Sequence, residues 1–199
     1  MNMTSHLPLI LASSSPRRQE LIRALGLPYQ VKVSDVDETT PDDWSPAQIV
    51  ETLAVRKAQA VAEQLKPDEQ GTVIGADTIV VIDNRVLGKP KDERDAEFML
   101  QLLQGRTHLV YSGVACLNPA DGRLSVAHRI TDVHMKPLTE KQIARYVASG
   151  EPMDKAGSYA IQGLGATIVE SIEGCYFNVV GLPLSLLANM LAEFGVEVL

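Results

Sequence analysis

The chain has 199 residues, 45% of them hydrophobic, which suits one compact α/β unit or two closely apposed lobes sharing a core. A formal net charge of −7 excludes broad nucleic-acid binding, because phosphate contacts need a basic face that this chain supplies only locally. No apolar run approaches the roughly 20 residues that span a bilayer, and Met1 to Leu7 lacks the basic start and apolar middle of a signal peptide, so a cytoplasmic protein with no membrane partner is expected.

Leu9 to Ala12 reads as a short apolar strand, followed at once by Ser13-Ser14-Ser15-Pro16-Arg17-Arg18. Ser15 is a good N-cap, Pro16 suits the first helical position, Leu21, Ile22 and Leu25 form a stripe, and Gly26 ends the helix. After an acidic, turn-rich stretch from Asp35 to Asp43, Ser45-Pro46 opens a longer helix reaching Leu65. Its buried stripe is Ile49, Val50, Leu53, Ala54, Ala58, Val61 and Leu65, and Lys57 falls on that stripe. Thr72 to Ala76 and Ile79 to Ile82 read as a strand interrupted at Asp77-Thr78, with a turn at Asp83-Asn84. Glu93 to Leu103 is an amphipathic helix stopped by Gly105. His108 to Leu117 and Leu124 to Met135 read as an antiparallel pair around Asn118 to Gly122. Thr139 and Gln142 make a capping box for a helix that Gly150 ends. Beyond it, glycines punctuate short segments: Ala166 to Ile172 reads as a strand, and Leu184 to Phe194 as a closing helix.

Ser13 to Arg18 carries the sharpest local signal. A helix N-terminus offers unpaired N–H groups and positive dipole, and here hydroxyls and two guanidinium groups join it. An anion site and an ordinary capped helix with solvated arginines both fit that spacing. Lys57, on an apolar face, must snorkel, find a carboxylate or meet a ligand anion, and Lys89 in Gly88-Lys89-Pro90 is a turn lysine or a second cation. Asp77, after an apolar run, either caps a turn, pairs with a cation or binds metal. Glu38 belongs to an acidic loop that is ordinarily just solvated. The two carboxylates with phosphate-binding cations would suit a hard Mg²⁺ or Mn²⁺ ion. The histidines His6, His108, His128 and His134 lack zinc-site spacing, and Cys116 and Cys175 read as small core residues of a reducing compartment. Neither a GxxxxGK[ST] loop, a GxGxxG turn nor a GxSxG elbow is present.

Taken together, Leu-Ala-Ser-Ser-Ser-Pro-Arg-Arg at 11 to 18, Gly-Ala-Asp-Thr at 75 to 78, Gly-Lys-Pro at 88 to 90 and Asp-Lys-Ala-Gly at 154 to 157 resemble the Maf family in order and spacing. Ile161-Gln162-Gly163 and Val180-Gly181-Leu182-Pro183 extend the resemblance over nearly the whole chain. The resemblance implies an α/β fold, an elongated mixed sheet with flanking helices in two lobes around a central cleft, similar to the inosine triphosphate pyrophosphatases. It also implies a single domain over residues 1–199 with no separable linker, and a homodimer. By matching motifs it makes Asp77 the proton acceptor and metal-associated carboxylate, with Glu38 as the second acidic contributor. Ser13, Arg18, Lys57 and Lys89 become phosphate binders on an Mg²⁺- or Mn²⁺-loaded nucleoside triphosphate. Arg17, Thr78 and Gln162 match the positions that sort substrates, and this set resembles members acting on dTTP and UTP. The implied reaction is attack of a metal-activated water on the α-phosphorus, pyrophosphate leaving. A 7-methyl-GTP pyrophosphatase and a non-catalytic, nucleotide-binding regulator of cell division are the alternatives.

Overall fold

A computed structural model describes residues 7–33 and 35–199; the signal-peptide reading and His6 lie outside the described residues. Strand β1 (Leu9–Ala12) is buried at every position, as four consecutive apolar side chains require of a strand covered on both faces. Helix α1 (Pro16–Arg23) starts where expected: the Arg18 N–H donates to Ser15 Oγ at 3.5 Å and proline occupies the first turn. Strand β2 (Tyr29–Lys32) pairs parallel to β1; its two middle residues are exposed, which hid it from a periodicity reading. Helix α2 (Pro46–Ala62) carries a full capping box of Ser45 and Gln48 and buries the predicted stripe. It stops at Ala62 rather than Leu65, where the amides of Gln64 and Leu65 turn to carbonyls only three residues back, although Leu65 still packs on the core.

Strand β3 (Thr72–Ile82) corrects the expected interruption, since it runs unbroken through Asp77 and Thr78 and pairs parallel with β1. Asp83 and Asn84, at φ +49° and +59°, reverse the chain into β4 (Arg85–Leu87), the left-handed pair that a two-residue hairpin needs. Helix α3 (Glu93–Leu103) is capped by Asp92 and buries Ala96, Met99, Leu100 and Leu103. Burial of each large side chain at about 1.5–3 kcal/mol outweighs a cap at about 1 kcal/mol, so tertiary packing is what holds this helix. Strands β5 (Thr107–Leu117) and β6 (Leu124–Met135) are sheet neighbours, and α4 (Glu140–Ala148) has the predicted Thr139–Gln142 capping box. Residues Gly163–Thr167 form a 3₁₀ turn, so the strand expected from Ala166 becomes β7 (Val169–Glu173), antiparallel to β6. Helices α5 (Tyr176–Val180) and α6 (Leu184–Glu193) complete a mixed α/β fold, with sheet order β2-β1-β3-β5-β6-β7 and β4 on β3.

The chain divides into two compact units. The first comprises residues up to Asp77, Ser112–His128 and Gly181–Leu199. Its core joins Ile10, Ala12, Val73 and Ala115 to Ala54, Ala58 and Val61 of α2. The second comprises Thr78–Tyr111 and Arg129–Val180, with a core of Val80, Leu100, Leu103, Val133, Ile143 and Tyr159 among others.

Candidate functional site

Two glycines decide where α2 lies in the first unit. A Cβ on Gly75 would stand 2.0 Å from the Ala54 carbonyl oxygen, and one on Gly113 would stand 2.3 Å from that of Val50, so the helix backbone rests directly on β3 and β5. Positions two apart on a strand share a face, and positions three or four apart on a helix share a stripe. Asp77 therefore lies beyond Gly75 on the face that α2 covers, and Lys57 lies one helical turn beyond Ala54. The two meet: Lys57 Nζ donates to Asp77 Oδ1 at 2.6 Å. The same ammonium stands 2.7 Å from Glu38 Oε1. Of the three fates open to Lys57, pairing with carboxylates is the one adopted, and it explains how a buried Asp77, only 8% exposed, sits in mid-strand without breaking it.

Glu38 reaches this point because its loop is tied to α2. Arg56 Nη1 donates to the carbonyl oxygens of Asp37 and Thr39, at 2.9 and 2.8 Å, on either side of Glu38, and its guanidinium also lies over the Trp44 ring. Asp37 Oδ1 accepts from the Thr39 amide at 2.8 Å and from the Thr39 hydroxyl, closing the loop on itself.

The serine-arginine turn belongs to the same unit. Ser13 is buried and its Oγ accepts from the Ser15 amide at 3.2 Å. Arg18 Nε donates to the Gly181 carbonyl at 2.8 Å, which fixes the guanidinium against the start of the C-terminal segment. Burial pushes the Arg18 guanidinium below its ordinary pKa. Asp77 opposes that shift, Arg17 adds to it, and Glu38 opposes it more weakly. Arg18 thus shares the electrostatic environment of both carboxylates, while Arg17, half-buried, follows Pro16 in the first turn of α1.

Ser13, Arg17, Arg18, Glu38, Lys57 and Asp77 are thus all residues of the first unit. Thr78, Lys89 and Gln162 belong to the second. Thr78 follows Asp77 on the opposite face of β3 and is half-buried, Lys89 is exposed after β4, and Gln162 is half-buried before the 3₁₀ turn at Gly163. A groove of about 430 Å³ in the second unit, lined by Lys136, Leu138, Gln142, Arg145, Tyr146 and Leu164 among others, contains none of these candidates.

Two residues had no chemical signal in the sequence. Gly181 supplies only a carbonyl, and Glu151 is one acid among many. Yet Glu151 Oε1 accepts from Tyr146 Oη at 2.8 Å and the Gly165 amide at 2.9 Å, and its Oε2 accepts from the Leu164 amide at 2.9 Å. Burial raises this carboxyl's pKa, but the Tyr146 hydroxyl, the two amides and Lys155 together outweigh burial and hold it below the usual range.

Asp77 Oδ1 and Glu38 Oε1 converge on one cation, so two hard oxygen donors already point at a common position. Among the described residues no group of three or more His, Cys, Asp or Glu forms a metal cluster. A divalent ion at this point would have to complete its shell with water and a ligand's phosphate oxygens, which is how Mg²⁺ is commonly held. The donor set fits such an ion. Cys116 is buried, its thiol pushed up to about 12 by desolvation, as expected of a core residue, whereas Cys175 is only half-buried. Among the described residues no helix is long and apolar enough to cross a membrane.

Comparison with known proteins matches nearly the whole chain. Residues 8–194 match the family described as Maf-like protein. A Desulforamulus reducens protein named dTTP/UTP pyrophosphatase is 54% identical over 191 residues, 96% of this chain and 98% of its own length. A Pelotomaculum thermopropionicum protein of the same name is also 54% identical, with the same coverage. Among solved structures, the Staphylococcus aureus Ham1 protein superposes with a TM-score of 0.48 at 18% identity, covering 81% of this chain and 79% of that one.

Proposed function

The chain belongs to the Maf family, and from that premise we propose that it is a nucleoside triphosphate pyrophosphatase cleaving dTTP and UTP to the monophosphate and pyrophosphate. The observation that carries the reading is Asp77, a carboxylate buried in mid-strand where Lys57 and Glu38 converge beside Arg18. The Lys57 pair offsets the desolvation cost of this carboxylate, and a buried carboxylate gathered with cations is an arrangement that suits phosphate chemistry. The names borne by relatives more than half identical support the reaction and substrate.

In this mechanism Asp77 orients a water about 3 Å from its carboxylate and takes its proton as the oxygen bonds to the α-phosphorus. The bond from that phosphorus to the α–β bridging oxygen breaks, and pyrophosphate carries away the electron pair. Arg18 and Lys57, with Ser13 and Lys89, bind phosphate oxygens, their charge meeting the charge that develops in the transition state. Asp77 and Glu38 would hold a divalent ion such as Mg²⁺ or Mn²⁺, whose chemistry would be further neutralisation of the phosphate charge. Lys57 then has a natural alternative to its carboxylate pair, the phosphates themselves. Arg17, Thr78 and Gln162 select the base, since guanidinium, hydroxyl and amide groups match the acceptors and donors of a pyrimidine edge. A homodimer is part of the same proposal.

The test is pyrophosphate release from dTTP, UTP, CTP, GTP, 7-methyl-GTP and ITP, with Mg²⁺, with Mn²⁺ and with chelator, by the native protein and Asp77→Asn. Metal-dependent cleavage of dTTP and UTP is expected, with kcat lower by about 10²–10⁴-fold in a normally folded Asp77→Asn. Preference for 7-methyl-GTP would replace the substrate, binding without turnover would replace the enzyme by a regulator, and full kcat in Asp77→Asn would remove its role.

A further inference from the structure

The segment Ala160 to Gly165 is fastened at both ends by a pair of side chains that touch each other. Tyr146 Oη accepts from the Ala160 amide at 3.2 Å and donates to Glu151 Oε1 at 2.8 Å. Glu151 then accepts from the amides of Leu164 and Gly165, both at 2.9 Å. One carboxylate therefore takes three hydrogen bonds, the charge-assisted kind that resists exchange with water. Glu151 itself is held, because Lys155 Nζ donates to its carbonyl oxygen at 2.9 Å.

The sequence of the fastened segment makes room for this and for little else. Gly163 has φ +63°, and a Cβ there would stand 2.5 Å from Glu151 Oε2. A Cβ on Gly165 would stand 2.0 Å from the Ala160 carbonyl oxygen and 2.6 Å from Tyr146 Oη. Both glycines are thus needed for the carboxylate and the phenol to approach. Within Ala160-Ile161-Gln162-Gly163-Leu164-Gly165 the one side chain able to read a hydrogen-bonding pattern is Gln162.

We propose that Glu151, with Tyr146 as its partner, is a positioning residue for substrate selection: it fixes the backbone around Gln162 so that the amide meets the base in one orientation. The proposal rests on the reading of Gln162 as a base selector. An amide discriminates between bases only when its donor and acceptor ends stay in place, and a loop free to shift by an ångström would let either end meet the ligand. Glu151 touches no substrate and its effect passes through Gln162.

A double-mutant cycle on selectivity tests this. The ratio of kcat/KM for UTP to that for CTP is measured for the native enzyme, Glu151→Ala, Gln162→Ala and the double variant, with Tyr146→Phe as a near-isosteric second perturbation should Glu151→Ala fold poorly. Expected is a fall in the ratio of about tenfold in Glu151→Ala, a smaller fall in Tyr146→Phe, partial recovery in Glu151→Gln, and a rise in KM exceeding any loss of kcat. The double variant should be no less selective than Gln162→Ala, because a residue acting through Gln162 has nothing left to orient. Unchanged selectivity in both Glu151→Ala and Tyr146→Phe, while Gln162→Ala loses it, overturns the positioning role alone. An effect of Glu151→Ala that persists undiminished in the Gln162→Ala background does the same. Unchanged selectivity in Gln162→Ala overturns the underlying reading, and this proposal with it.

Discussion

Lys57 Nζ lies 2.6 Å from Asp77 Oδ1 and 2.7 Å from Glu38 Oε1, the two carboxylates proposed to hold a divalent ion. Under that proposal the ammonium and the ion would compete for the same carboxylate oxygens. Lys57→Met is therefore expected to bind Mn²⁺ more tightly in the absence of nucleotide, by roughly tenfold, as a competing charge next to the oxygens is removed. The same variant should lose about 10²–10³-fold in kcat, because a cation facing the developing charge is gone. Mn²⁺ titration followed by electron paramagnetic resonance gives the first quantity, and weaker binding in the variant would mean that Lys57 organises the carboxylates rather than competing for them. At this scale the sequence was half legible. Helical periodicity placed Lys57 on the buried stripe of α2, and an apolar run singled out Asp77. Their partnership spans residues in different elements, and no local pattern records it.

At the scale of elements, the meeting of α2 and β3 depends on a missing side chain. Gly75→Ala would put a methyl group 2.0 Å from the Ala54 carbonyl oxygen, a contact with backbone rather than with a flexible tip. The helix must then lift, and the overpacking is expected to cost about 1–3 kcal/mol, read from the shift of the urea midpoint. Lifting α2 also draws Lys57 from Asp77, so kcat should fall even where the fold survives. A variant with an unchanged midpoint and unchanged kcat would show that α2 moves freely over the strand. Capping chemistry explains why most helices were placed correctly from sequence: Ser15, Ser45 and Thr139 cap the helices they were expected to cap. The missed elements are those whose pattern is set by neighbours. Strand β2 is mostly exposed along its middle, β4 is only three residues long, and the 3₁₀ turn at Gly163 displaced the start of β7.

At the scale of the molecule, stability should depend on acid through His108. The imidazole is 2% exposed, its Nε2 lies 2.6 Å from Tyr159 Oη, and its Nδ1 has no hydrogen-bond partner among the described residues. Burial lowers its pKa to about 4, with His134 adding to the effect. The unfolded chain takes up this proton near pH 6.5 and the folded protein only near pH 4, so the unfolded state binds more protons between those values. Stability is full above that window and falls as the pH drops through it, by up to about 3 kcal/mol for this group. His108→Gln, which keeps a hydrogen-bonding group but does not titrate there, should flatten the dependence. Parallel denaturation curves for the two proteins from pH 4 to 7 would remove His108 as the cause. What the sequence determined by itself was the α/β character, the helix caps, the buried faces and the motifs that carry the Maf resemblance, because each depends on residue type and spacing within one segment. Tertiary structure alone decided that Asp77 sits in an unbroken strand, that one lysine joins two carboxylates, that Arg56 holds the Glu38 loop and that Glu151 fastens the Gln162 segment. Those contacts join residues distant in sequence or bond side chains to backbone, and local pattern is blind to both.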